Sequence, residues 1–444
     1  MKRNIILCSD GTGNQGGAGA DSNVFKLYKA VDIHDENHPQ ITYYDNGVGT
    51  STNRYFRALS GAFGFGFEAN VCDLYEELAR NYIPGDQIYV FGFSRGAATV
   101  RAFTGFVDAC GLLNRFDDSD NLKDEKLFCK QLEHALQAYK KAKKDSSIAQ
   151  KFKQDFALKD PNYVPDGDLK IHFVGIWDTV SALGFPQNWS LAFDWVFKRA
   201  EDIANQFFPH RYYNDKLTKG IEYGYHALSI DDARKTFSPV LWEEQGQTSI
   251  VEQVWFAGAH SNVGGGYPRK GLSDEALAWM MEKANTHGLI FIDSVHDAIK
   301  SSANAQGKLM DSRDGIGMYY RYQPRYIEDL CKEKLNASVK LHESVISRVN
   351  RGTARYAPSF LPSVFDVVET VTGGKNKLII LDTNEWRNCQ QEVKKWVKKR
   401  QYLYHSFVET TFLLVFISIA FWVYPPDSIA QFQLNCCDDL CSIP

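Results

Sequence analysis

The first six cysteines of this 444-residue sequence, Cys8, Cys72, Cys110, Cys129, Cys331 and Cys389, include no CxxC pair. That spacing argues against a zinc site or a disulfide framework in the main body. There is no HExxH and no dense His/Asp/Glu cluster, so neither a catalytic metal nor another cofactor is expected. Neither GxGxxG nor GxxxxGK[ST] is complete, and no lysine follows the glycine turn "SDGTGN", which removes the phosphate-loop reading of that turn. Internal repeats and Gly/Ser linkers are lacking, so boundaries within residues 1–390 are soft. After "MKRN" the apolar run from Ile5 to Cys8 is far too short for a secretory h-region. The expectation is a domain that folds in the cytoplasm, with export by a system needing no such signal left open. Net charge is only −4, which gives no reason to expect nucleic acid as a partner.

What is present suits a large packed core. Hydrophobic residues make up 44% and charged residues 23%, which excludes global disorder. Four short apolar runs with β character each end in a polar turn: "NIILC" before "SDGTGN", "QIYVF" before "GFSRGA", "KIHFVGIW" before "DTVSALG", and "VEQVWFAG" before "AHSNVGGGY". Between them the spacing predicts helices. Phe67, Val71, Leu74, Leu78 and Tyr82 form one stripe, and "LSDEALAWMMEKANTHG" has Ser273 as its N-cap with Asp274 and Glu275 in the first turn. Alternating buried strands and helices predict a doubly wound, mostly parallel α/β sheet with helical insertions and a C-terminal apolar helix. In such sheets ligands bind outside the carboxyl ends of the strands, where the four polar turns fall.

Residues 111–169 are lysine-rich and read as a solvated helical insertion. Residues 185–222 are rich in Trp and Phe and read either as a second core or as a lid over an apolar pocket. Residues 391–444 form a different segment. "VKKWVKKR" leads into an apolar stretch, about 407–424, interrupted by Glu409 and bordered by Trp422 and Tyr424. A membrane span wants about 20 residues, so this is a borderline single transmembrane or anchoring helix, alternatively a buried helix or one that docks on a partner. Its flanking lysines would keep the main domain cytoplasmic. Cys436, Cys437 and Cys441 crowd the tail and fit an oxidised clip, a lipidation site or a loose metal ligand set equally.

The chemistry centres on "GFSRG", Gly92 to Gly96, a G-x-S-x-G set between a predicted strand and a predicted helix. A sharp strand-to-helix turn strains the serine backbone and needs small neighbours, so Ser94 reads as a nucleophile. The amide of Arg95, at the helix N-terminus, would donate to the developing oxyanion. His260, after a strand and before a glycine-rich loop, is the expected base. His226, placed by the pattern before a helix, is its competitor. Asp178, in "VGIWDTV", is the expected acid; Asp231 and Asp232 occupy the right interval in what reads as a helical, more polar context. The order Ser, Asp, His is the hydrolase order. Gly11, Thr12 and Gly13 are candidates for a second oxyanion donor, with Asp10 tying that loop.

These turns resemble a known family, the α/β-hydrolase domain of bacterial type VI secretion phospholipase effectors of the GxSxG class. The resemblance rests on "CSDGTGNQ", "YYDNGVGT", "GAFGFGFEANVCDLYEELARNY", "IYVFGFSRGAATVRAF", "VGIWDTVSALG", "YHALSIDDARKTFSPVLW" and "WFAGAHSNVGGGYPRKGLSDEALAWM", in family order over about residues 4–285. It implies a nucleophile at Ser94, an acid at Asp178, a histidine at His260, and hydrolysis of acyl esters with phospholipid as substrate. A membrane is then the natural partner; whether an inhibitory or activating protein also binds is left open by the sequence. The expected function is a serine esterase of the phospholipase A type. A membrane-tethered binding protein that uses the fold without catalysis is the contrasting expectation.

Overall fold

The computed structural model of the chain describes residues 2–46, 65–180 and 217–423, short stretches at 12–15, 18, 118–120, 143–144, 160–168, 245–248, 333, 336–337, 371–376 and 382 aside. Thr12, Gly13, most of the aromatic-rich segment 185–222 and the cysteines of the tail lie outside the described residues.

Among the described residues nine strands form one sheet. They are β1 (Asn4–Ser9), β2 (Gln40–Asp45), β3 (Gln87–Phe93), β4 (Ile171–Trp177), β5 (Ile221–Ser229), β6 (Ile250–Phe256), β7 (Val339–His342), β8 (Val364–Val368) and β9 (Lys377–Ile380), in the order 2-1-3-4-5-6-7-8-9. All neighbours are parallel except β8 and β9. The predicted runs became β1, β3, β4 and β6. Three strands next to them were missed, β2, β5 and β7; in β5 "IEYGYHALS" mixes glycine and a histidine into a mostly buried run. His226 therefore lies inside a strand and not before a helix.

Helices are α1 (Asn23–Ala30), α2 (Phe65–Asn81), α3 (Arg95–Cys110), α4 (Glu125–Ala142), α5 (Ser146–Phe156) and α6 (His260–Gly264). Further along come α7 (Gly271–Thr286), α8 (Asp293–Ser302), α9 (Ile327–Cys331), α10 (Glu343–Asn350) and α11 (Asn384–Val423). The period-two alternation of the strands assigns them to two faces. Ile5, Leu7, Ile88, Val90, Val174 and Ile176 pack under α2 to α5, while Ile6, Cys8, Tyr89, Phe91, Phe173 and Trp177 pack under α1 and α7. The α2 stripe Phe67, Val71, Leu74, Leu78 and Tyr82 is buried throughout, as its spacing requires. A third cluster, around Leu228, Trp255, Leu341 and Phe365, extends the core beneath the late strands.

Two expectations change. Helix α7 begins at Gly271, two residues before Ser273, because the Ser273 hydroxyl donates back to the Lys270 carbonyl at 2.9 Å and Asp274 pairs with Lys26 of α1 at 2.8 Å. The lysine-rich insertion is only half solvated. Phe128, Ala135, Ala138 and Tyr139 of α4 and Ala149 and Phe152 of α5 close the core over α3.

The chain leaves β1 toward β2 and returns across it to β3, so the strand order reverses between β1 and β3. Helices departing to opposite faces open a crevice at that point, outside the carboxyl ends. The turns after β1 and β3 both border it. The last helix, α11, is a single rod of 40 residues, about 60 Å at 1.5 Å per residue. The basic run "VKKWVKKR" continues it without a break, so it starts well before the expected 407. Val397, Tyr404 and Val408 bury against Tyr322 and Phe360, whereas Leu413 to Trp422 are largely exposed. Among the described residues this is the one helix long and apolar enough to cross a membrane.

The insertion's inner face gives a direct check. Phe152→Ala should lower stability by about 3–5 kcal/mol, while Lys151→Ala, on the exposed face of the same turn, should stay within about 0.5 kcal/mol. Chemical denaturation of both variants, with equal losses as the contradicting result, tests whether α5 belongs to the core.

Candidate active site

The turn after β3 is sharp. Ser94 has φ 58° and ψ −119°, a left-handed φ unusual for a residue with a side chain, and its amide donates to the Trp177 carbonyl at 3.1 Å. The flanking glycines are steric necessities. A Cβ on Gly92 would lie 2.7 Å from the Gly96 carbonyl oxygen, and one on Gly96 would lie 2.2 Å from the Ser9 carbonyl oxygen. Helix α3 is thus pressed against the end of β1, and the Ser94 side chain is left at the carboxyl edge of the sheet.

Three predicted residues meet there. His260, at the first position of α6, holds Nε2 2.7 Å from Ser94 Oγ and Nδ1 2.6 Å from Asp178 Oδ2. The imidazole lies between Phe93 and Phe237, with ring centroids 4.7 and 5.0 Å away. Asp178 follows β4 directly and also has a positive φ, 37°. Two of the four non-glycine residues with positive φ among the described residues are therefore in this cluster, the kind of strain that concentrates at functional sites.

Asp178 is fully buried and carries five hydrogen bonds. Oδ1 accepts from the Ser229 amide at 2.9 Å and Arg325 Nη1 at 2.6 Å. Oδ2 accepts from the Ser229 hydroxyl at 3.1 Å, Arg325 Nη2 at 2.9 Å, and His260. Burial pushes this carboxyl up, but the Arg325 guanidinium and the His260 hydrogen bond override it and hold it far below the ordinary carboxylate range. The Arg325 pairing therefore favours the ionised carboxylate. Hydrogen bonds of this number fix its orientation, and so the direction in which His260 Nδ1 points.

The other candidates fall into supporting places. His226 is buried in β5, receives the Thr179 amide on Nε2 at 3.2 Å and faces Gln253 Oε1 with Nδ1 at 3.3 Å. Burial, with Arg101 nearby, lowers its pKa to about 3, so it is a neutral brace for the residue after Asp178. Asp231, half-buried, and Asp232, buried, are in a loop and not in the helical context their sequence suggested. Asp231 Oδ2 accepts the Gly258 amide at 2.7 Å and Asp232 Oδ2 accepts the His260 amide at 3.2 Å, so the pair holds the backbone that presents the imidazole. Arg95 is the first residue of α3, one of the positions whose amides have no carbonyl partner within the helix. The Gly11 amide donates to Asp10 Oδ1 at 2.6 Å, and Asp10 also receives Tyr44 Oη at 2.6 Å, so Asp10 does tie this loop. Sequence reasoning missed Arg325, Ser229 and Phe237. Arg325 in "YYRYQPRYIEDL" stands 147 positions from Asp178 with no local signal.

Burial raises the Asp231 carboxyl to about 6, against the Gly258 and Tyr356 hydrogen bonds that lower it. The folded protein therefore holds this proton more tightly than the unfolded chain does. The stability Asp231 contributes is complete below about pH 4 and is lost as pH rises through 6. Asparagine keeps an acceptor oxygen and cannot ionise. The Tm of Asp231→Asn minus that of the wild type should rise between about pH 4 and 7 and level off above; a flat difference would contradict the assignment.

Residues 3–283 match the family described as T6SS, Phospholipase effector Tle1-like, catalytic domain. An uncharacterized protein of Saccharomyces cerevisiae, YEL023C, is 31% identical over 257 residues, which are 53% of this chain and 32% of that protein. The chain thus spans about a third of the length of this curated relative. Among solved structures, the crystal structure of an uncharacterized protein from Pseudomonas aeruginosa is similar over 68% of this chain and 49% of that one, with 17% identity and a TM-score of 0.37. The family match takes in well over half of the sequence, and every strand from β1 to β6, Ser94, Asp178 and His260 lie within it. The chain belongs to the family of Tle1-like type VI secretion phospholipase effectors, and it carries that family's catalytic domain.

Proposed function

We propose that this chain is a serine hydrolase on an α/β-hydrolase fold, acting as a phospholipase A on membrane phospholipids. The observation that carries the reading is the hydrogen-bonded line from Ser94 Oγ through His260 to Asp178, at 2.7 and 2.6 Å, behind a strained strand-to-helix turn. Membership of a phospholipase family supplies the lipid substrate.

In this mechanism Ser94 Oγ attacks the ester carbonyl while His260 Nε2 takes the hydroxyl proton. Asp178 holds Nδ1–H and stabilises the imidazolium that results. The carbonyl oxygen, now an oxyanion, receives the Arg95 amide at the N-terminus of α3, where the helix dipole adds to the field. A second donor comes from the turn after β1, where Thr12 follows a Gly11 amide already engaged by Asp10. Collapse of the intermediate expels the lysophospholipid alcohol, which leaves with the proton from His260. Water, deprotonated by the same imidazole, then cleaves the acyl-serine and restores Ser94.

We assign residues 1–390 to the hydrolase domain and 391–444 to a membrane-anchoring segment. The exposed apolar end of α11, from Leu413 to Trp422, is suited to entering a bilayer, and its lysine-rich start to lying at the lipid headgroups. The hydrolase domain would then work at the cytoplasmic face of the membrane that holds its substrate.

Release of fatty acid from phospholipid vesicles and hydrolysis of a soluble short-chain ester test this reading together. The wild type should do both and Ser94→Ala neither, a loss of at least about 10³-fold in kcat. Leu414→Lys should keep the short-ester activity and lose most of the vesicle activity. Full activity in Ser94→Ala sinks the hydrolase reading. Short-ester activity without any release from vesicles sinks the phospholipid substrate.

A further inference from the structure

Arg325 is fully buried and donates to both oxygens of Asp178, Nη1 to Oδ1 at 2.6 Å and Nη2 to Oδ2 at 2.9 Å. The same two nitrogens reach the Ser229 and Phe237 carbonyls, each at 2.6 Å. One planar guanidinium therefore fixes the end of β4, the end of β5 and the loop carrying Phe237, whose ring packs edge-on against His260. A bidentate fork sets the plane of a carboxylate, which a point charge cannot do.

The backbone that delivers Arg325 is itself pinned. The Gln323 amide donates to the Ala233 carbonyl at 2.8 Å, the Lys235 amide donates to the Arg321 carbonyl at 3.0 Å, and Ile327 is buried in the third core cluster. The segment also receives α11. Tyr404 Oη donates to the Tyr319 carbonyl at 2.5 Å, Gln401 Nε2 donates to the Tyr322 carbonyl at 3.4 Å, and the Arg400 guanidinium lies 4.2 Å over the Tyr322 ring. Arg325, the backbone around it and α11 all lie beyond residue 283, where the family match ends, while Ala233 and Lys235 lie within it.

We infer that Arg325 is a positioning residue for the Ser94–His260–Asp178 machinery, and that the region after residue 283 thereby completes the active site. The inference rests on the serine-hydrolase reading above. Arg325 sets the plane of the carboxylate that orients Nδ1–H of His260, and its charge opposes protonation of Asp178. Among the described residues the other charged and titratable groups around them are Asp231, Asp232 and Arg234 on the loop after β5, His226 in β5, and Arg95 and Arg101 in α3. Asp232 is already matched by Arg234 at 2.6 Å, so Arg325 is the cation that answers Asp178.

The experiment is the pH profile of kcat/KM for a soluble short-chain ester with the full-length wild type, Arg325→Met, Arg325→Lys and Ser94→Ala. Thermal unfolding of each variant reports how much is folded. Arg325→Met should lose about 10- to 100-fold in kcat/KM per folded molecule, and its acid limb should move up by about one pH unit or more. Arg325→Lys should recover part of the rate and bring the acid limb back toward the wild type. A purely structural arginine would lower the folded fraction and leave the rate per folded molecule and the pH profile unchanged, which would overturn the proposal. Should Arg325→Met not fold, Arg325→Lys decides: wild-type kcat/KM overturns the proposal, and a loss of about tenfold supports it. If Ser94→Ala hydrolyses as well as the wild type, the hydrolase reading fails and takes this inference with it. If only the Arg325 variants match the wild type, the inference alone fails.

Discussion

Asp178 is a charge buried inside a protein, and most of the local architecture answers that fact. An unpaired carboxylate there would cost several kcal/mol, and the fold meets the cost with five hydrogen bonds and one cation. Each partner comes from a different part of the chain: Ser229 from the end of β5, His260 from the start of α6, and Arg325 from the segment before α9. Satisfying one buried group therefore brings three distant stretches into register. The arrangement that stabilises the carboxylate is also the one that aims the imidazole at Ser94. Removing either side of the Arg325–Asp178 pair would leave a buried charge uncompensated, which typically costs about 3–5 kcal/mol.

Topology supplies the meeting place. Because β1 through β8 run parallel, their carboxyl ends share one edge, and the reversal of strand order between β1 and β3 opens that edge into a crevice. Ser94 and Asp178 follow the adjacent strands β3 and β4. His260 reaches them across the end of β5, where Ser229 fills the gap. Gly92 and Gly96 let α3 sit close enough to β1 for the two turns bordering the crevice to touch. Strain at Ser94 and Asp178 is maintained by this packing, since neither φ would persist in an unsupported loop.

Much of this could be read from the residues in order. The strands β1, β3, β4 and β6 announce themselves as apolar runs, and the α2 stripe as a helical period, because burial imposes those periods directly. Ser94, Asp178 and His260 were legible because each follows a strand in the order a hydrolase uses. Arg325 was not, because nothing local marks an arginine as buried; only the tertiary fold brings it to Asp178. His226 and Asp231 misled for a related reason. A strand that carries glycine and histidine lacks a continuous apolar run, and the polar stretch with two aspartates read as helical; in the fold the Thr179 amide donates to His226 and the Gly258 amide to Asp231. The lysine-rich insertion hid its inner face in the same way, since charge on one side of a helix says little about the other.

The proposed chemistry makes Ser94 a nucleophile activated by His260, which Asp178 orients. A fluorophosphonate, whose phosphorus takes the place of the attacked carbonyl carbon, tests it without assuming any natural substrate. Reaction of the folded wild-type protein followed by mass spectrometry of its peptides should find one adduct, on Ser94, and none after His260→Ala. An unmodified Ser94 in folded protein, or an adduct that forms as readily without His260, would rule that chemistry out.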